Sequence, residues 1–421
     1  MIEEQDVLRV KNIFVENNNK IIFDYEYSGI WKKILSEQSF FVEYDFDVRK
    51  IPNSIKIIPL LSNILPIAWY FGAKIEVSEI DKSFWNCLKD IFDGYQQMYP
   101  NISFKFDIIA QKVTENKNSS KETNKATLFS GGVDSFSTLL AHIEEKPSLI
   151  TILGADISLN DIDGQENVKK YVQKIANKYC FKSFFIKSNL KSFINNIELD
   201  KELSTHLNDD WWHAFQHGLG IIGLNAVLAY KEKLQIIYIA SSHSYKEKNV
   251  QCASDPRIDN KIKFLNCSVI HDQYDYTRQD KINLIVNKSR KYNEKPFLRV
   301  CWKTNGGINC SICEKCARTI YGIIAAKDNP NLYGFVFNRK TNKKIIRYIK
   351  YKFDISDSKI MFWNEIQKKI REDNTLCNDK MYRWINNIEF DKIQTNKIRK
   401  IRKKIGALLH KLGRKYKSGK I

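Results

Sequence analysis

The chain has 421 residues, 43% of them hydrophobic and 28% charged, which is a globular composition with room for two or three domains and excludes a disordered or fibrous chain. The formal charge is +20, but residues 331–421 hold 25 Lys+Arg against 8 Asp+Glu, a net of +17, so the basic character belongs to the C-terminal part. The longest uncharged apolar run, Ile57 to Ala73, contains Pro59, Ser62, Asn63 and Pro66 and is too short and broken for a spanning helix; with an acidic start at Glu3, Glu4 and Asp6, the expected location is the cytoplasm.

Residues 1–112 read as an N-terminal α+β module. Phe40 to Val48 and Ile102 to Ile108 alternate as half-buried strands do, and Phe84 to Met98 has a helical pattern. Residues 113–125 are a polar linker, from Thr114 to Asn124 without an apolar side chain. After it, buried strands at Ala126–Phe129, Leu149–Leu153, Ser183–Ile186 and Ile236–Ala240 alternate with helices. The helices begin at Phe136 and cover Val168–Tyr179 and Trp211–Tyr230. This alternation predicts an α/β domain over 126–325, with a doubly wound parallel sheet covered on both faces. Residues 326–421 form a basic, mainly helical region.

The segment Ser130-Gly131-Gly132-Val133-Asp134-Ser135 falls between the first of these strands and a helix. Consecutive glycines clear side chains from the loop, and the freed amides with the following helix N-terminus suit a polyphosphate. Ser130 and Ser135 add hydroxyls; Asp134 either holds a magnesium ion or orients the loop. The lysine of an ordinary phosphate-binding P-loop is absent. Of the nine cysteines, Cys301, Cys310, Cys313 and Cys316 cluster at a spacing that closes a tetrahedral zinc site of structural type, with an iron–sulfur cluster as the competitor.

The Ser-Gly-Gly-Val-Asp-Ser loop resembles that of the PP-loop ATP pyrophosphatases, which have an adenine nucleotide alpha hydrolase-like fold. The resemblance implies that ATP is bound here, a carboxylate or carbonyl oxygen is adenylated, pyrophosphate leaves, and a nucleophile displaces AMP. It also implies that Gly154 and Asp156, beyond the second strand, lie beside the adenine. Followed by the four cysteines, the loop is similar to the 7-cyano-7-deazaguanine synthase family, which makes a nitrile from a carboxylate with ATP and ammonia. Lys281, after Asp280 and before an apolar helix, matches a lysine of that family. The family's Pro-Gly-Arg-Asn run has no counterpart in Trp211–Gly220.

His213 and His217 share one helical face beside Trp211, Trp212 and Phe215, which reads as a substrate pocket more than a metal site. Ser241, Ser242 and His243 follow the fourth strand. With Cys252, Asp255, Arg257 and Asp259 they are candidates for the acceptor site, and Arg257 and Lys281 for stabilising the leaving pyrophosphate. From Ile398 to Tyr416 the chain has a basic amphipathic stripe that suits RNA, an anionic membrane surface or an acidic protein. The expected function is a C–N bond-forming ligase using ATP, Mg2+ and Zn2+, with a small carboxylate or carbonyl acceptor and a second copy of the chain as partners. The alternatives are a tRNA-modifying PP-loop enzyme, a sugar amidotransferase, or a catalytically silent nucleotide-binding partner protein.

Overall fold

The computed structural model describes residues 5–117, 123–247, 250–301, 308–351 and 357–393. The chain forms two compact units, the first running to Thr277 and the second beginning at Arg278. The first is α/β and contains one eleven-stranded, mostly parallel sheet.

Its strands are β1 (Val7–Glu16), β2 (Lys20–Tyr27), β3 (Phe41–Glu43), β4 (Lys74–Asp81), β5 (Ile108–Thr114), β6 (Asn124–Leu128), β7 (Ser148–Leu153), β8 (Ser183–Ser188), β9 (Leu234–Ala240), β10 (Lys263–Phe264) and β11 (Cys267–Asp272). They lie in the order β10-β11-β9-β6-β7-β8-β3-β2-β1-β4-β5. The five strands from β11 to β8 are mutually parallel. Numbered among themselves along the chain, they run 3-2-1-4-5 from β8 to β11. β6 is central: the chain leaves it toward β7 and β8, then returns on its other side as β9. The carboxyl ends of β6 and β9 therefore flank a topological switch point, the crevice where open α/β sheets bind ligands.

The composition-based boundary at 112 is not a boundary of the sheet. β3 pairs antiparallel with β8, Val42 opposite Ser188, so the N-terminal strands extend the same sheet. One core joins them, with Trp31, Trp69 and Tyr95 buried alongside Ile150, Trp211 and Ile237. The apolar run at 57–73 is the buried helix Ile58–Phe71, which packs on the helix His217–Gly223; the Asn63 amide donates to the Gly220 carbonyl at 3.2 Å. Among the described residues no helix is long and apolar enough to cross a membrane.

Two expected strands are shorter than their patterns. Only Phe41–Glu43 of the Phe40–Val48 stretch joins the ladder. Residues 102–107 alternate in burial but make no strand, which starts at Ile108. Ile102 and Phe104 are buried, Phe104 packing on Phe92 and Tyr95 and Phe106 on Trp69 and Phe92, and side-chain alternation of this kind needs no neighbouring strand. The expected long helix at 211–230 is three pieces: a wide turn at Trp212–Gln216, then helices His217–Gly223 and Ala226–Glu232.

The second unit is helical. The helix Glu314–Ala325 packs against Arg278–Lys291 and Asp357–Arg371, and Trp384 donates to the Tyr321 hydroxyl at 2.7 Å. The basic stripe from Ile398 to Tyr416 and part of the linker, residues 118–122, lie outside the described residues.

Candidate functional site

The loop expected to hold phosphate follows β6 directly and ends in the helix Val133–Ala141, whose N-cap is Gly132. Gly131 is left-handed, with φ +77°, a region that costs other residues about 1–2 kcal/mol. The Ser130 and Ser135 hydroxyls lie 3.2 Å apart, and the Ser135 hydroxyl also accepts the Ser130 amide at 3.3 Å. These bonds tie the two ends of the loop together, so its turn is fixed before any ligand arrives. Asp134 is half-buried in the first helical turn and Val133 is buried beneath it. Tyr171, from the helix Ile162–Tyr179, packs on Gly131: a β-carbon there would lie 2.5 Å from its ring. Nothing in the local spacing of the sequence links Tyr171 to the loop.

Gly154 has φ +103°, and a β-carbon on it would lie 2.0 Å from the Ser188 carbonyl. Its glycine is thus required for β7 to turn tightly past the end of β8. Asp156 is exposed just beyond this turn. Lys191, also unforeseen, stands three residues beyond β8 with its ammonium 3.8 Å from the centre of the Trp212 ring; burial lowers its pKa, against the pull of Asp156 and Asp210.

Arg257 is clamped by Asp255 through two hydrogen bonds of 2.8 and 2.9 Å, and lines a cavity of about 370 Å³ with Asp90, Gly94, Gln97 and Lys261. Asp259 is fully buried and holds His271 at 2.7 Å and Ser254 at 2.8 Å, so it is a structural member of the core and not an accessible acceptor residue. Lys281 is buried in the second unit, on the helix Arg278–Lys291.

The wide turn at Trp212–Gln216 is a π-helical segment, with the His217 amide bonded to the Trp212 carbonyl five residues back. Such turns need donors from outside the helix for the carbonyls they open. Here the carbonyls of His213, Ala214 and Phe215 receive the Ala253 amide at 2.8 Å, the Tyr99 hydroxyl at 2.8 Å and the Tyr95 hydroxyl at 2.7 Å. The turn brings His213 to Cys252. Hydrogen bonds to Asp209 and Cys252 outweigh burial and push the His213 pKa up to about 10. Burial raises the Cys252 thiol, but hydrogen bonds from His213 and His217 overcome it and bring the thiol down to about 6. His243 joins the same cluster. The sequence placed these residues in two separate groups, the helix face and the loop after the fourth strand; the fold brings them into one.

In the second unit, Cys301, Cys310, Cys313 and Cys316 place all four sulfurs within 4.8 Å of one another, a cluster that could hold a metal ion such as zinc. Cys301 and Cys313 are 3.8 Å apart and Cys310 and Cys316 3.9 Å. Cys313 precedes the helix Glu314–Ala325 and Cys316 lies in its first turn, while Ser311, at φ +57°, bends the knuckle. Asn309 holds the returning chain. Its side chain accepts the Val300 and Cys301 amides at 3.1 and 3.3 Å and donates to the Leu298 and Gly334 carbonyls at 2.6 and 2.9 Å. Asn309 immediately precedes Cys310, and that adjacency is the one sequence signal of its role.

No protein-family model matches the chain, and no curated protein matches it.

Proposed function

We propose that the protein is an ATP-dependent ligase that adenylates a carboxylate or carbonyl oxygen, releases pyrophosphate and completes a C–N bond. One observation carries this reading. The Ser-Gly-Gly-Val-Asp-Ser loop stands at the carboxyl end of the central parallel strand, at the switch point beside β9, with a left-handed glycine and a helix N-terminus behind it. An adenylation there breaks the bond between the α- and β-phosphates as the acceptor oxygen attacks the α-phosphorus. Ammonia then attacks the activated carbon and AMP leaves. The Gly131 and Gly132 amides with Ser130 and Ser135 bind the phosphates, and Asp134 holds magnesium. Lys191, at the same edge of the sheet, is a half-buried cation suited to the departing pyrophosphate.

The same reading assigns zinc to the four cysteines. Sulfurs at the usual Zn–S distance of about 2.3 Å sit roughly 3.8 Å apart in a tetrahedron, which is the separation of the two measured pairs. The RNA-modifying alternative draws on the basic C-terminal composition alone. The test is pyrophosphate release from ATP with ammonium and a panel of small carboxylates. Wild-type turnover that Asp134→Ala abolishes, with unchanged circular dichroism, supports the reading; equal release by both proteins refutes it.

A further inference from the structure

One cluster of ligand-bearing side chains in the first unit is left without a role by the ATP reading. One ligand atom each from His213, His243 and Cys252 lies within 4.8 Å of the other two. They come from three places: the wide turn, the loop after β9, and the segment leading to the helix Pro256–Asp259.

Each histidine is oriented by its own carboxylate. Asp209 takes His213 Nδ1 at 2.6 Å, and Glu247 takes His243 Nδ1 at 2.9 Å. Glu247 is itself fixed, with its side chain 2% exposed and its other oxygen accepting the Ser244 amide at 2.9 Å. With Nδ1 engaged on both rings, Nε2 is the nitrogen a metal ion would take, on His213 in place of its hydrogen bond to Cys252. Carboxylates that hold the far nitrogen of a histidine are the usual outer shell of a metal centre: they fix the ring and raise its basicity toward the ion. Cys252 is pressed against this pair. The Ala253 amide donates to the His213 carbonyl at 2.8 Å, and Gly218 admits that approach, since a β-carbon on it would lie 2.2 Å from the Ala253 carbonyl.

A core histidine needs one partner and no convergence. Here two rings, each held at Nδ1 by a carboxylate, meet edge to face with centroids 5.9 Å apart beside a buried thiol. A cation at this point would exchange the hydrogen bonds of Cys252 to His213 and His217 for bonds to the thiolate and both rings. We propose that His213, His243 and Cys252 bind one zinc ion, with three protein ligands and a fourth position open to water or an anionic oxygen. The donor set of two imidazoles and a thiolate suits zinc, and three protein ligands with an open position is the pattern of reactive zinc, unlike the closed four-cysteine knuckle. A tetrahedral ion holds such donors about 3.3–3.6 Å apart, so the cluster closes on it with small side-chain rotations. His243 stands three residues beyond β9, which pairs in parallel with β6, and β6 opens into the phosphate loop. The proposed ion thus belongs to the carboxyl edge of the same sheet.

The test reads metal, so its outcome is independent of whether ATP is used. Full-length protein purified without chelator is expected to hold two zinc ions per chain by elemental analysis. Cys252→Ser and His243→Gln should each reduce this to one. A zinc content that neither variant changes overturns the proposal. Should either variant misfold, zinc-edge X-ray absorption of the wild-type protein decides. Nitrogen scatterers at about 2.0–2.1 Å beside sulfur at about 2.3 Å are expected, and a shell of sulfur alone overturns it.

Discussion

The ring of Tyr171 stands against Gly131 so closely that a β-carbon at position 131 would meet its Cε1 at 2.5 Å. The loop proposed for phosphate is therefore held from outside as well as by its own serines. Gly131→Ala meets both this ring and the cost of a left-handed backbone, about 1–2 kcal/mol. We expect ATP affinity, measured by titration calorimetry, to fall at least tenfold with the far-ultraviolet spectrum unchanged. Unaltered affinity would remove the loop from the binding site.

Asn309 makes four hydrogen bonds that close the chain around the cysteine cluster. Removing them from a buried position should cost roughly 2–4 kcal/mol. Asn309→Ala is expected to lower the denaturation midpoint of the second unit and to speed zinc loss to a chelator. Zinc release at the wild-type rate would show that the knuckle closes without it.

The Tyr95 hydroxyl satisfies the carbonyl of Phe215 inside the wide turn, and the tyrosine is fully buried. Tyr95→Phe leaves that carbonyl without a donor at a cost of about 1–3 kcal/mol. Thermal unfolding should shift down by several degrees. A neutral result would mean that the turn relaxes to an ordinary helix at no cost, which a crystal structure of the variant would show.

Glu145 bonds Lys125, His142 and Tyr238, ligating the end of the helix Val133–Ala141 to β6 and β9. Burial opposes its charge, but the contacts with Lys125, His142 and Tyr238 win and hold its pKa at about 2. A depressed carboxylate pKa stabilises the fold above its ordinary range, and that gain disappears as pH falls from about 4.5 through about 2. Glu145→Gln should be less stable than wild type at pH 7, and the gap in urea midpoint should narrow steadily below pH 4. A gap that stays constant with pH would show that packing, and not charge, is what Glu145 contributes.

The strand–turn–helix setting of Ser130–Ser135 and the gathering of the four cysteines were legible because each is local: residues at fixed short spacing, bounded by a strand or a helix. The four strands after the linker were legible for the same reason, each a short apolar run between turn signals. What sequence could not supply was pairing across distance. Nothing in Val42 announces Ser188 as its neighbour, so the N-terminal strands read as a separate module when they extend one sheet. The helical pattern at 211–230 hid the wide turn, because the donors that stabilise it, Tyr95 and Tyr99, lie more than a hundred residues away. The outer carboxylates of the histidine cluster were within reach. Asp209 precedes His213 by four and Glu247 follows His243 by four, a spacing visible in the sequence alone.

The most direct measurement of the central claim is which phosphoanhydride bond breaks. Phosphorus NMR of ATP turned over by the full-length protein, with ammonium and the carboxylate panel present, should show AMP and pyrophosphate accumulating in equal amounts. ADP with orthophosphate, or ATP left intact under every condition, would contradict the account.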